Sequence, residues 1–152
     1  MRFSSVLSRL TFAAVFCSAA NVASAQYAVT CKVKETGDRG GWVPETIVFV
    51  VDEDKKSARV VDGMILSTLN RPANARLKIT NKGQRRMSWR VDNVRTVQAF
   101  LSVSYTADFD PKTNAVSLKG NLVGASNRIR GVGSCQELNQ NQLKNLGSVL
   151  GG

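Results

Sequence analysis

The residues best supplied for chemistry are basic. Arg76, Lys78, Lys82, Arg85, Arg86, Arg90 and Arg95 fall within one twenty-residue stretch whose only carboxylate is Asp92, a local excess of +6. Guanidinium groups present forked N–H donors that fit carboxylate or phosphate oxygens, and ammonium groups add point charge. Apolar residues alternate through the same stretch, with Leu77 and Ile79 in one half and Met87, Trp89 and Val91 in the other. A period of two sends Arg76, Lys78, Arg86 and Arg90 to the opposite face of two strands. The expected product is a basic hairpin, with Arg76, Lys78, Lys82, Arg85, Arg86 and Arg90 as candidate anion ligands. The competing use of the same residues is a solvated strand face that discourages edge pairing.

Catalysis has less to work with. The chain contains no histidine, which removes the commonest general base near neutral pH, the commonest metal ligand and the usual serine or cysteine triad. Asp108 and Asp110 share a strand face, as do Asp52 and Asp54, and paired carboxylates can run acid–base hydrolysis when their pKa values are split. Both pairs border turns, where Asp serves local hydrogen bonding. Asp52, Glu53 and Asp54 lack the spaced oxygen ligands of a calcium loop. Gly131-Val132-Gly133 precedes no helix of the kind a phosphate loop needs. The expectation is a protein without catalytic residues, metal or cofactor.

Two tryptophans are candidate ligand-lining residues. Trp89 lies mid-strand on the apolar side and reads first as core. Trp42 follows a glycine-rich loop and precedes Val43-Pro44, a place from which it could line or cover a barrel mouth.

The first 25 residues look like an export signal. Arg2 and Arg9 flank a polar start, Leu10 to Ala20 is mostly apolar, and Ala23-Ser24-Ala25 has the small-x-small form of a cleavage site. The apolar run is shorter than the roughly 20 residues a spanning helix requires. Cleavage after Ala25 leaves 127 of the 152 residues, and the loss of Arg2 and Arg9 lowers the formal charge from +10 to +8. It also removes Cys17, so that Cys31 and Cys135 remain as a pair. In an oxidising compartment such a pair is expected to form a disulfide. Nucleic acid fits the charge but not the compartment. The expected partner is an anionic envelope component or an acidic protein.

The elements that must position these groups read as β throughout. Tyr27 to Lys34, Glu45 to Asp52, Ser57 to Val61, Arg76 to Thr80, Arg86 to Asp92, Ala115 to Val123 and Arg128 to Cys135 alternate or carry β-prone runs. Met64 to Leu69 reads as a further short strand. Thr96 to Phe109 reads as one long strand with a bend near Gln98 to Phe100. Gly37, Gly40 and Gly41 mark a loop, and Asp110 to Asn114 suits a type I turn ending in a left-handed Asn. About eight strands joined by short turns predict an all-β fold, closed into a barrel or folded as a sandwich, and the cysteine pair favours a small antiparallel barrel or closed meander. Closure would bring Cys31 and Cys135 together across the seam, with Gly131 and Gly133 leaving interior room for side chains such as Trp89 or Phe109. Residues 26–135 form the expected β domain. Residues 136–152 form a polar tail or short helix, with Ser134 and Glu137 spaced as a capping box and Gly147 as its end. Several strands fall short of the roughly 9–11 residues of an outer-membrane barrel.

Trp42-Val43-Pro44-Glu45, the lone Trp89 and Arg130-Gly131-Val132-Gly133-Ser134-Cys135 resemble the short exported β proteins of Gram-negative bacteria that have no assigned activity. In size and layout the chain is also similar to periplasmic lysozyme inhibitors, which are small β-barrels. Those resemblances imply a periplasmic or secreted binding protein, a small-ligand carrier, or an inhibitor of an envelope hydrolase. A partner of charge +8 would repel basic lysozymes at long range.

Overall fold

A computed structural model describes residues 26–36, 41–125 and 128–150. The expected export signal, Cys17, Gly37 and Gly40 lie outside the described residues. Within them the chain forms β1 (Gln26–Glu35), β2 (Thr46–Asp52), β3 (Ser57–Val61), α1 (Gly63–Leu69), β4 (Ala73–Ile79), β5 (Arg85–Arg95), β6 (Phe100–Asp110), β7 (Ala115–Leu122), β8 (Arg128–Glu137) and α2 (Gln140–Leu150). Each strand pairs antiparallel with the next, and β8 returns to pair antiparallel with β1, closing an eight-stranded barrel.

Alternation fills the interior. Cys31, Phe49, Val60, Leu77, Met87, Val103, Phe109, Leu118 and Ile129 point inward and are buried. At the centre Trp89 stacks on Tyr105, with ring centroids 5.3 Å apart, and meets Phe49 edge-on at 5.7 Å. Offset and edge-on geometries of this kind match the charge distribution of aromatic rings. Cys31 and Cys135 are register partners on β1 and β8 and are disulfide-bonded across the seam.

The seam glycines serve a different purpose from the one expected. A Cβ on Gly133 would clash with the Lys32 carbonyl oxygen, and one on Gly131 would fall 2.7 Å from Val33 Cγ1. They admit the β1 backbone and Val33, not Trp89 or Phe109. The glycine that makes room for an aromatic ring is Gly120, where a Cβ would lie 2.7 Å from Tyr105 Cδ1.

Residues 64–69 are helical, not a strand. Asp62 caps α1, its Oδ1 accepting from the Ile65 N–H at 2.8 Å, and Asn70 ends it in the left-handed conformation (φ 51°). Two Asx residues flanking a short apolar run favour one helical turn over extension. Fully buried Ile65 plugs that end of the barrel. The long strand expected at residues 96–109 is also divided. Thr96 and Ala99 close the β5–β6 turn, and the irregularity lies in β5, between Val91 and Val94, where Asn93 is left-handed (φ 60°). The expected left-handed Asn114 is present (φ 58°).

The short C-terminal helix forms, with a different cap. Asn139 and Gln142 cap it reciprocally: each backbone N–H donates to the other's side chain at 2.9 Å. Ser134 and Glu137 belong to β8, and α2 continues through Gly147. Leu138 and Leu143 cover an apolar patch on the outside of β1–β3 formed by Ala28, Val48, Val50 and Val61. No helix among the described residues is long and apolar enough to cross a membrane. Apart from exposed Val132, the outward positions of β4–β8 carry mostly charged, hydroxyl and amide side chains, not the continuous apolar band that a lipid-embedded barrel presents.

Candidate anion-binding surface

Pairing register sets which basic groups meet. Lys78 is the direct partner of Arg86, and Arg76 that of Ser88, so β4 and β5 place their cations on one outer face. The β4–β5 turn adds exposed Lys82. Lys78, Lys82 and Arg86, with Thr80, Asn81 and Gln84, line a depression of about 340 Å³.

The six expected ligands divide into two groups. Arg85 faces the barrel end: its Nε donates to Glu53 Oε1 at 2.9 Å, Tyr27 Oη donates to the same oxygen at 3.2 Å, and Arg85 Nη1 donates to the Gly83 carbonyl. This cluster holds Arg85 firmly protonated, while burial and then Glu53 raise the Tyr27 hydroxyl. Arg86 makes a forked pair with Asp108 on β6, at 2.7 and 3.0 Å. Arg90 pairs with Asp92, which also accepts from Ser102. Arg76, Lys78 and Lys82 have no carboxylate partner among the described residues. They are the cations open to an external anion.

Strand order enlarges the face with cations that lie far apart in sequence. Lys34, Val132, Ser117, Asp108, Arg86 and Lys78 follow one another across β1, β8, β7, β6, β5 and β4. A parallel row runs Arg130, Lys119, Thr106, Ser88, Arg76. Lys119, Arg128 and Arg130 also lack carboxylate partners among the described residues. With neighbouring strands about 4.8 Å apart, these rows make a basic belt over six strands. Sequence reading missed the β7–β8 half because alternation shows a face without showing its neighbours.

Three of the four paired carboxylates are held in turns or ion pairs. Asp52 accepts the Lys55 N–H and pairs with its ammonium, and the N–H bond chiefly holds its pKa low. Asp108 is engaged by Arg86, and Asp110 caps the following turn through the Lys112 N–H. No cluster of metal-ligating side chains occurs among the described residues. Trp42 and Trp89 are not brought to one cavity: Trp89 is core, while half-buried Trp42 sits at the barrel mouth with its carbonyl accepting from Tyr105 Oη at 2.6 Å.

The buried carboxylate that stands out is Asp62. One oxygen caps α1 and the other, Oδ2, is buried with no partner among the described residues. Burial raises its pKa, against the lowering effect of the Ile65 and Met64 N–H groups. The folded state therefore holds this proton more tightly than the unfolded chain. Its contribution makes stability fall as pH rises from the unfolded value, about 3.9, to the raised folded value, and stay level above it. Asp62→Asn keeps the cap and removes the charge. The variant should be more stable than the parent at pH 7, with the difference vanishing near pH 3 in urea titrations. Asp62→Ala should lose about 1 kcal/mol from the missing cap.

Comparison with known proteins adds no relative to this picture: no family model, no curated protein and no solved structure matches the chain.

Proposed function

We propose that this is an exported, non-catalytic binding protein of the bacterial envelope whose basic outer face takes an anionic partner. The observation that carries the reading is the convergence of Lys78, Lys82 and Arg86 on one depression at the edge of the basic belt. Lys78 and Lys82 carry uncompensated charge there, and Asp108 fixes the Arg86 guanidinium from the side. The Cys31–Cys135 bond suits an oxidising compartment. The absence of histidine and the engagement of the acidic pairs in turns and ion pairs support binding over catalysis.

Reversal of the open cations tests this directly. Phosphatidylglycerol vesicles serve as the anionic probe in co-sedimentation at low salt. Near an anionic surface each cation is worth about 1 kcal/mol, so Lys78→Glu with Lys82→Glu should weaken binding about thirtyfold or more. Binding of the parent should fall steeply with added salt. The same double reversal at Lys119 and Arg130 probes the half of the belt carried by β7 and β8. Lys112→Glu, in the β6–β7 turn, is the charge control. Vesicle binding that survives both double reversals refutes the proposal.

A further inference from the structure

The barrel end opposite the Tyr27–Glu53–Arg85 cluster carries a groove of about 710 Å³, within the range typical of small-ligand sites. Trp42, Met64, Val94 and Phe100 supply its apolar wall, Ser67, Thr68, Asn93 and Thr96 line it with polar groups, and Arg95 is its one charged lining residue among the described residues. Arg95 has no carboxylate partner among the described residues. Phe100 is its direct partner across β5 and β6 and remains 69 % exposed, with fully exposed Val97 at the turn between them. An aromatic ring left largely in water beside a groove marks a contact surface.

The β5 irregularity points the same way. Plain alternation from inward Val91 would bury Arg95 and expose Val94. The shift between Val91 and Val94 buries both valines and turns Arg95 to the rim. It requires left-handed backbone at Asn93, a conformation that costs a non-glycine residue energy, although Asn tolerates it best. Bulges of this kind re-aim side chains at barrel rims.

We propose that this groove binds a single-chain anionic amphiphile, its alkyl tail against Trp42, Met64, Val94 and Phe100 and its carboxylate or phosphate head on Arg95. One cation among neutral lining residues, beside four apolar side chains, matches one anionic head on one chain, and a forked guanidinium can pair with either head. The site is separate from the basic belt and does not depend on it.

Decanoate, decyl phosphate and neutral decanol, each below its aggregation concentration, are the probes. Tryptophan fluorescence is the readout, since Trp42 lines the groove and Trp89 is buried away from it. Both anions should bind saturably, one per chain, and Trp42→Phe should remove the signal. Arg95→Gln should weaken both anions about tenfold and leave decanol unchanged. Phe100→Asp should abolish binding of all three without altering thermal unfolding, because the ring is exposed. The proposal fails if no probe binds saturably. It fails if Arg95→Gln spares the anions, or if Phe100→Asp spares any probe. It also fails if Lys78→Glu with Lys82→Glu weakens the anions as much as Arg95→Gln does, which would place them on the belt. Binding to phosphatidylglycerol vesicles through Phe100 without binding of the monomeric probes would overturn it in favour of a membrane-surface contact.

Discussion

Replacing Cys31 and Cys135 together by Ala is expected to lower the stability of the barrel by about 4–5 kcal/mol. The bond joins residues 104 apart in sequence, and in the chain-entropy model a cross-link closing a loop of about 100 residues contributes roughly 4.7 kcal/mol by restricting the unfolded chain. Both cysteines are buried, so truncation also removes packing and pushes the loss upward. For a domain of this size the change corresponds to a drop in Tm of about 15–20 °C. Urea unfolding of the parent with and without reductant, beside the double variant, checks it. If the effect lies in the unfolded chain, the variant's m value should also rise, since an uncrosslinked chain exposes more surface. Identical midpoints for parent and variant would show that the bond contributes nothing to closure.

The second large effect is steric. Gly133→Ala would drive a methyl group into the Lys32 carbonyl oxygen. That neighbour is backbone and cannot rotate aside, so β1 and β8 must separate or the strand must twist. Overpacking usually costs about 1–3 kcal/mol, and a backbone clash at the closing pair belongs at the top of that range. Two other glycines grade the effect. At Gly131 the new methyl meets Val33 Cγ1 at 2.7 Å and Val43 Cγ1 at 2.9 Å, side chains that can shift, so Gly131→Ala should cost less. At Gly63 nothing lies within 4 Å and the backbone is helical. Gly63→Ala should therefore be neutral or stabilise by up to about 1 kcal/mol. The expected order of melting temperatures is Gly63→Ala highest, then Gly131→Ala, then Gly133→Ala. A Gly133→Ala protein that melts with the parent would refute the close approach of the two strands.

Much of the barrel was legible because its strands obey the period of two. Tyr27 to Lys34, Ser57 to Val61 and Ala115 to Val123 alternate between core and solvent, and alternation is local. The misses arose where local rules compete. Met64-Ile65-Leu66 suits a strand by composition, and the helix there depends on Asp62 and Asn70 as caps. Ile79 continues the alternation of Leu77, yet it stands at the barrel end and is half exposed, because a strand can outrun the core it borders. The anion-binding surface was legible in part. The outward direction of Arg76, Lys78, Arg86 and Arg90 followed from spacing, whereas their neutralisation did not. Asp108 reaches Arg86 from a strand 22 residues away and Glu53 reaches Arg85 from 32 away, and only strand order makes those pairs. The groove was foreshadowed by Trp42 alone, because its other walls come from α1 and from the shifted register of β5.

The order of the strands also bears on how the chain becomes a barrel. Seven of the eight pairings join neighbours in sequence, and only β1 with β8 spans the molecule. Hairpins of this kind can form while the chain is still being delivered, because each asks for little loop closure. The ribbon they build has two open edges, and one of them is β1, the first strand to arrive after the expected export signal. That edge must wait for nearly the whole sequence before its partner emerges, exposed to pairing with other chains meanwhile. Lys32 and Lys34 carry their charges outward along β1, and charge spaced along an open strand edge opposes such pairing. The basic residues of the first strand therefore bear on the assembly of the barrel as well as on its finished surface.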